Sequence, residues 1–235
     1  MNSIGIGIHG TGLSADYHGY ALAKNKYFSL KAVSDDGYPQ ALSYAKRHHV
    51  DKCYGDLEYL LSCPDVDIVV VASPFFDNIK ILPYIIETGR SVIMETPLAG
   101  SVEDAERIVG MAEDIFLFPV SQMASDPLMK YTSSLIKEGK LGEIRDFSLL
   151  WSFPSPVKRW MNQWGREKHF DEKLLFLQSA SGAFNLVYTL FGVDEVLKVE
   201  EGIDGVRIVF NNGSLVINDG NKGFSFSIKG ENGGI

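Results

Sequence analysis

Short apolar runs alternate, over the first half of the chain, with segments whose apolar positions recur at helical spacing. That rhythm predicts parallel strands joined by crossover helices. Ile4 to Ile8 reads as a strand, followed by a glycine turn and a helix from Ala15 to Lys24. A second strand is expected over Ser29 to Ser34, and Tyr38 to His48 has the spacing of an amphipathic helix with a charged outer face. A short strand over Lys52 to Tyr54 precedes the helix Leu57 to Leu61, whose free first-turn amides the Asp56 carboxylate can cap. The run Asp67 to Ala72, DIVVVA, is continuously apolar, as expected of a strand covered on both faces. Helix Ile79 to Thr88 ends at Gly89 as its C-cap, and Ser91 to Met94, Val102 to Ala112 and Ile115 to Val120 complete the series as strand, helix and sixth strand.

Beyond residue 122 the rhythm changes. Asp126 to Glu138 reads as a helix closed by Gly139, and Glu143 to Phe153 as a long strand. Pro154 to Lys173 is irregular, aromatic and charged, with the character of a loop. Leu174 to Leu190 is an apolar helix stopped by Gly192, and the remainder reads as four strands with a hairpin turn at Asn212-Gly213. The expected fold is therefore α/β: a doubly wound parallel sheet of the Rossmann type over residues 1–122, then a smaller α+β domain with an open mixed sheet over 123–235.

Composition narrows the function classes. The 235 residues are 45% hydrophobic, enough for two modest cores, and the net charge of −8 with no Lys/Arg-rich run argues against nucleic-acid binding. Cys53 and Cys63 form no C-x-x-C pair and lie among no histidines at metal-ligand spacing, which suits reduced thiols in a cytoplasm and predicts no metal site. The start, MNSIGIGIHG, lacks a basic leader, and no apolar stretch reaches the roughly 18 residues that a membrane span needs. A cytoplasmic protein with no membrane partner is expected.

The first strand runs into Gly10-Thr11-Gly12-Leu13-Ser14-Ala15, which opens the first helix. In a dinucleotide site the first glycine permits the tight turn, the second lets backbone approach the pyrophosphate, and a third small residue lets helix and strand pack. The helix N-terminus then offers its amides to the phosphates. A purely structural turn is the alternative. Asp35 ends the second strand about twenty residues later, where a carboxylate can accept from both ribose hydroxyls and repel a 2′-phosphate. With no Lys or Arg in Ser34-Asp35-Asp36-Gly37, NAD is favoured over NADP. The alternative is that Asp35 and Asp36 only form a turn.

With VVVASP at 69–74, METP at 94–97 and EGKLGEIRDF at 138–147, the chain resembles the Gfo/Idh/MocA family, the oxidoreductases related to glucose-fructose oxidoreductase and inositol dehydrogenase. The resemblance runs through nearly the whole chain. It implies a Rossmann domain, an open-sheet domain that often forms a dimer face, and a sugar or polyol substrate. It further implies Ser73 and Pro74 beside the nicotinamide end, with Glu95 and Pro97 shaping the loop beneath it. His18 matches a histidine common in the family, expected to pack and hydrogen-bond. Further strands normally follow the family's counterpart of residues 229–235, so a smaller second sheet is expected, with a homodimer through the Trp151 to Phe226 sheet face.

The chain departs from that pattern where the chemistry lies. The family's E-K-P lysine is Thr96, and its D-x-G-x-H-x-x-D pattern falls on Gln178, Ala180, Gly182 and Asn185. The arginine before the D-P helix start becomes Ala124, and a histidine after the fourth strand becomes Asn78. A hydroxyl on a short stem cannot replace an ammonium that tunes proton transfer, and Gly182 has nothing to titrate. Two functions follow as expectations. One is a nucleotide-binding pseudoenzyme or regulator. The other is an NAD-dependent oxidoreductase acting on the CH-OH group of a sugar or polyol through a rebuilt site, with His169, Tyr188, Lys168 and Lys130 as candidate acid–base groups and Trp160 and Trp164 as ring walls. The loop residues can equally be solvated, and Tyr188 can be core. A plain interaction module using the fold without nucleotide is the third class; the joint presence of Gly10, Gly12, Ala15 and Asp35 speaks against it.

Overall fold

A computed structural model describes residues 3–152, 172–192, 195–202, 205–218 and 224–235. The chain divides into two compact units, Met1–Val120 and Ser121–Ile235.

In the first unit β1 (Ile4–His9) leads through the glycine turn into α1 (Leu13–Ala23), and β2 (Phe28–Ser34) into α2 (Tyr38–His48). β3 (Lys52–Tyr54), α3 (Leu57–Leu61), β4 (Ile68–Val71), a 3₁₀ turn (Phe75–Asp77) and α4 (Asn78–Glu87) follow, then β5 (Ser91–Met94), α5 (Val102–Met111) and β6 (Leu117–Pro119). The six strands are parallel in the order β3-β2-β1-β4-β5-β6, so the strand order reverses between β1 and β4. Both faces are buried, as the run of valines in β4 requires. Val69 and Val71 join one cluster with Leu60, Leu82, Ile85 and Ile108, while Val70 joins the other with Ile6, Ile8 and Tyr44. Asp56 caps α3 by accepting from the Tyr59 amide at 2.9 Å, and Gly89 ends α4 in the left-handed region at φ +68°. α1 begins at Leu13, two residues earlier than the apolar pattern predicts, because Gly12 is itself its N-cap.

The second unit opens with α6 (Gln122–Ser125), one turn that the apolar spacing does not signal, and α7 (Pro127–Lys137), capped by Asp126. β7 (Ile144–Ser152) and α8 (Glu172–Phe191) precede β8 (Val196–Gly202), β9 (Gly205–Phe210), β10 (Gly213–Asn218), β11 (Phe224–Gly230) and the two-residue β12 (Gly233–Gly234). The sheet order is β12-β11-β7-β10-β9-β8, with β10 parallel to β7 and the remaining pairs antiparallel. The hairpin between β9 and β10 turns at Asn211 and Asn212, not at Asn212-Gly213. Gly213 is already in the strand, where a Cβ would lie 2.3 Å from the Phe147 ring. One face of the sheet packs Phe147, Leu149, Leu215, Ile217 and Ile228 against Ala183, Leu186 and Val187 of α8. Trp151 and Phe226 lie on this same covered face, which corrects their expected place on a dimer surface; Ser148, Ser227 and Arg207 are exposed instead. Among the described residues no helix is long and apolar enough to cross a membrane, and both cysteines are free thiols.

Candidate functional site

The C-terminal ends of β1, β2, β4 and β5 bring the sequence-predicted cofactor residues to one edge of the first unit. Gly10 leaves β1 at φ +86°, and a Cβ there would lie 2.4 Å from the backbone nitrogen of Ser73, so the turn after β1 and the end of β4 touch through backbone. Gly12 caps α1 without a side chain, leaving the first-turn amides of Leu13, Ser14 and Ala15 unclaimed by any cap. The acidic residue of that turn, Asp16, is paired instead with Arg47 at 2.9 Å and His48 at 2.8 Å on α2.

Asp35 does more than form a turn. Its Oδ2 accepts from the Thr11 amide and from the Thr11 hydroxyl, each at 2.7 Å, and its Oδ1 accepts from the Gly37 amide at 2.8 Å. It thereby ties the turn after β1 to the turn after β2. A carboxylate offers about four lone-pair sites, so Oδ1 keeps one for a ribose hydroxyl. Beside it His9 is buried, its Nδ1 3.0 Å from Ser34 Oγ. Burial holds this imidazole below its ordinary value, against the opposing pull of the Asp36 and Asp35 carboxylates.

Ser73 and Pro74 follow β4. The Ser73 hydroxyl is shielded from solvent and has no hydrogen-bond partner among the described residues, and the Ser73 backbone lies against Gly10. An orphaned hydroxyl, a backbone cradle that excludes Cβ, an uncapped helix start and a strand-end carboxylate together fit a dinucleotide. Glu95 follows β5; its amide bonds Val71 O at 3.3 Å, and its Oε1 lies 2.6 Å from Nε2 of His18 on α1, each side chain about one-fifth exposed. The next residue, Thr96, donates its hydroxyl to Val120 O at 3.0 Å and precedes a cis bond to Pro97. Asn78 is buried and donates to Leu98 O at 2.9 Å.

The remaining candidates belong to the second unit. Asn185 Oδ1 accepts from Ser121 at 2.7 Å and from Thr189 at 3.4 Å. A Cβ on Gly182 would stand 3.3 Å from the Trp151 indole, so β7 already fills the room beside that position. Tyr188 is 67% exposed, not core, and Lys130 is exposed on α7. His169, Lys168, Trp160 and Trp164 lie outside the described residues. No group of three or more His, Cys, Asp or Glu side chains able to hold a metal occurs among the described residues. The pairing of His18 with Glu95 escapes sequence reasoning because the residues stand 77 positions apart on different elements.

The family described as "Oxidoreductase family, NAD-binding Rossmann fold" matches residues 4–115. An uncharacterized oxidoreductase of Synechocystis sp. is 26% identical over 192 residues, covering 80% of this chain and 51% of the relative. An uncharacterized protein of Saccharomyces cerevisiae is 32% identical over 118 residues, covering 48% of this chain and 34% of its own length. The chain thus spans about half or less of these relatives. Scyllo-inositol dehydrogenase from Lactobacillus casei, solved with bound NAD(H) and scyllo-inositol, shares the fold at a TM-score of 0.85 and 18% identity, covering 100% of this chain and 76% of that one. Through this match, residues 4–115 are similar to the Gfo/Idh/MocA oxidoreductase family.

Proposed function

We propose that this chain binds NAD in preference to NADP, and that it does so without the Lys/His/Asp dehydrogenase chemistry of that family, as a nucleotide-binding pseudoenzyme or regulator. In this reading Gly10, Thr11, Gly12 and Leu13 hold the pyrophosphate, Asp35 holds the adenosine ribose, and Ser73, Pro74 and Glu95 border the nicotinamide half. Bound NAD supplies a hydride acceptor. The reading depends on whether a proton acceptor stands beside it. The observation that carries the proposal is Thr96: in the position of the family's lysine, its hydroxyl is spent on Val120 O. The full hydrogen bonding of Asn185 Oδ1 and the indole against Gly182 support it. NADH titration followed by fluorescence, paired with turnover assays on sugars and polyols, tests the proposal. Micromolar binding with no turnover is the expected result; robust turnover of any such substrate overturns it.

The exposure of Tyr188 favours a second reading, a rebuilt oxidoreductase site with this phenol as acid–base group. Inositols belong first in the substrate panel, since scyllo-inositol is the ligand named for a structural neighbour. A second copy of the chain is the proposed partner of the second sheet, through the face opposite α8.

A further inference from the structure

The cofactor edge contains several ionisable side chains, and nearly all are committed to groups that lock the fold. Asp16 is held by Arg47 and His48, Asp35 by Thr11 and Gly37, Asp77 by Lys80, and His9 faces Ser34. The pair His18–Glu95 differs in kind. It joins two elements that a bound dinucleotide would straddle: α1, whose first turn would face the pyrophosphate, and the turn that leaves β5. The sheet order places the reversal between β1 and β4, and a dinucleotide in such a sheet lies across that reversal. With the adenosine ribose at Asp35 after β2 and the pyrophosphate at Gly10 to Leu13, the other half must extend over the ends of β4 and β5, where Ser73 and Glu95 stand. Both side chains of the pair are partly open to solvent, so neither is simply a core contact.

The geometry points to His18 as a positioning residue: through Nε2 it fixes the Glu95 carboxylate, and with it the 95–97 turn, under the nicotinamide half of the bound cofactor. This rests on the nucleotide-binding reading above. Glu95 is engaged through Oε1, which lies 2.6 Å from Nε2 of His18. Released from His18, the carboxylate would swing between rotamers and lose its fixed relation to the β4 and β5 ends. The Gly10 turn and Asp35, which hold the other half of the ligand, do not depend on this bond.

ADP-ribose and NADH separate the two halves, because ADP-ribose lacks the nicotinamide. In His18→Ala the NADH affinity should fall about tenfold, the scale of one lost hydrogen bond to a charged group, while ADP-ribose affinity changes less than about twofold. His18→Gln, which restores an N–H donor at similar reach, should recover most of the NADH affinity. A role confined to anchoring α1 would weaken both ligands equally, and that result overturns the inference, as does unchanged NADH binding in His18→Ala. If the unaltered chain binds neither ligand, the nucleotide-binding reading fails and takes the inference with it; if it binds both and only the His18→Ala prediction fails, the inference alone falls.

Discussion

His9 shows how far a single residue's meaning depends on its surroundings. In the sequence it merely precedes the glycine turn, yet the fold buries it beside Ser34, and burial favours the neutral ring. Its folded-state value lies below the ordinary 6.5, so the unfolded chain binds the proton more readily. The stabilisation is therefore complete above pH 6.5 and is lost as the pH falls through the folded-state value. Thermal melts recorded from about pH 7.5 down to about pH 5 should show falling stability, and His9→Gln should flatten that slope relative to the unaltered chain. Asp35 was legible as a strand-end carboxylate at the right distance from the glycines, because chain length alone sets that spacing. Its bonds to Thr11 were not, since they depend on how two turns meet. The Thr96 side chain, a short hydroxyl between Glu95 and Pro97, was legible in the sequence; its bond to Val120 O was not, because it depends on how β5 and β6 end beside one another.

Among the elements, those with a period and a cap could be read directly. α2 and α3 match their expected spans, and α7 starts one residue late because Asp126 is its cap rather than its first residue. The Asp126 carboxylate accepts from the Leu128 amide at 2.8 Å and the Met129 amide at 3.3 Å. Asp126→Ala should therefore cost about 1 kcal/mol, read as a lower denaturation midpoint with an unchanged denaturant slope. α6 has four residues, too few for a hydrophobic period to appear. The β9–β10 turn was misplaced because Asn-Gly is a strong hairpin signal, and at Gly213 a packing requirement, the nearby Phe147 ring, accounts for the glycine instead.

At the scale of the whole molecule, the second sheet has one face covered by α8 and one exposing Ser148, Ser227 and Arg207. An antiparallel-rich sheet tolerates water on such a face, so the proposed dimer has to be measured. Sedimentation at micromolar concentration should give about twice the chain mass of 26.0 kDa, and Ser227→Arg, which places a bulky charge against its copy, should return the monomer. A monomer of the unaltered chain would remove this assignment.

By itself the sequence determined the alternation of strands and helices, the glycine turn, the strand-end carboxylate and the absence of a titrating side chain at Thr96 and Gly182, because each is a matter of residue type and local spacing. Tertiary structure alone decided that Thr11 binds Asp35, that His18 reaches Glu95, and that Trp151 stands beside Gly182 on the helix-covered face of the second sheet. These are contacts between segments distant along the chain, and it is the packing of helices and loops on the two sheets, rather than any local propensity, that brings them within hydrogen-bonding or van der Waals reach.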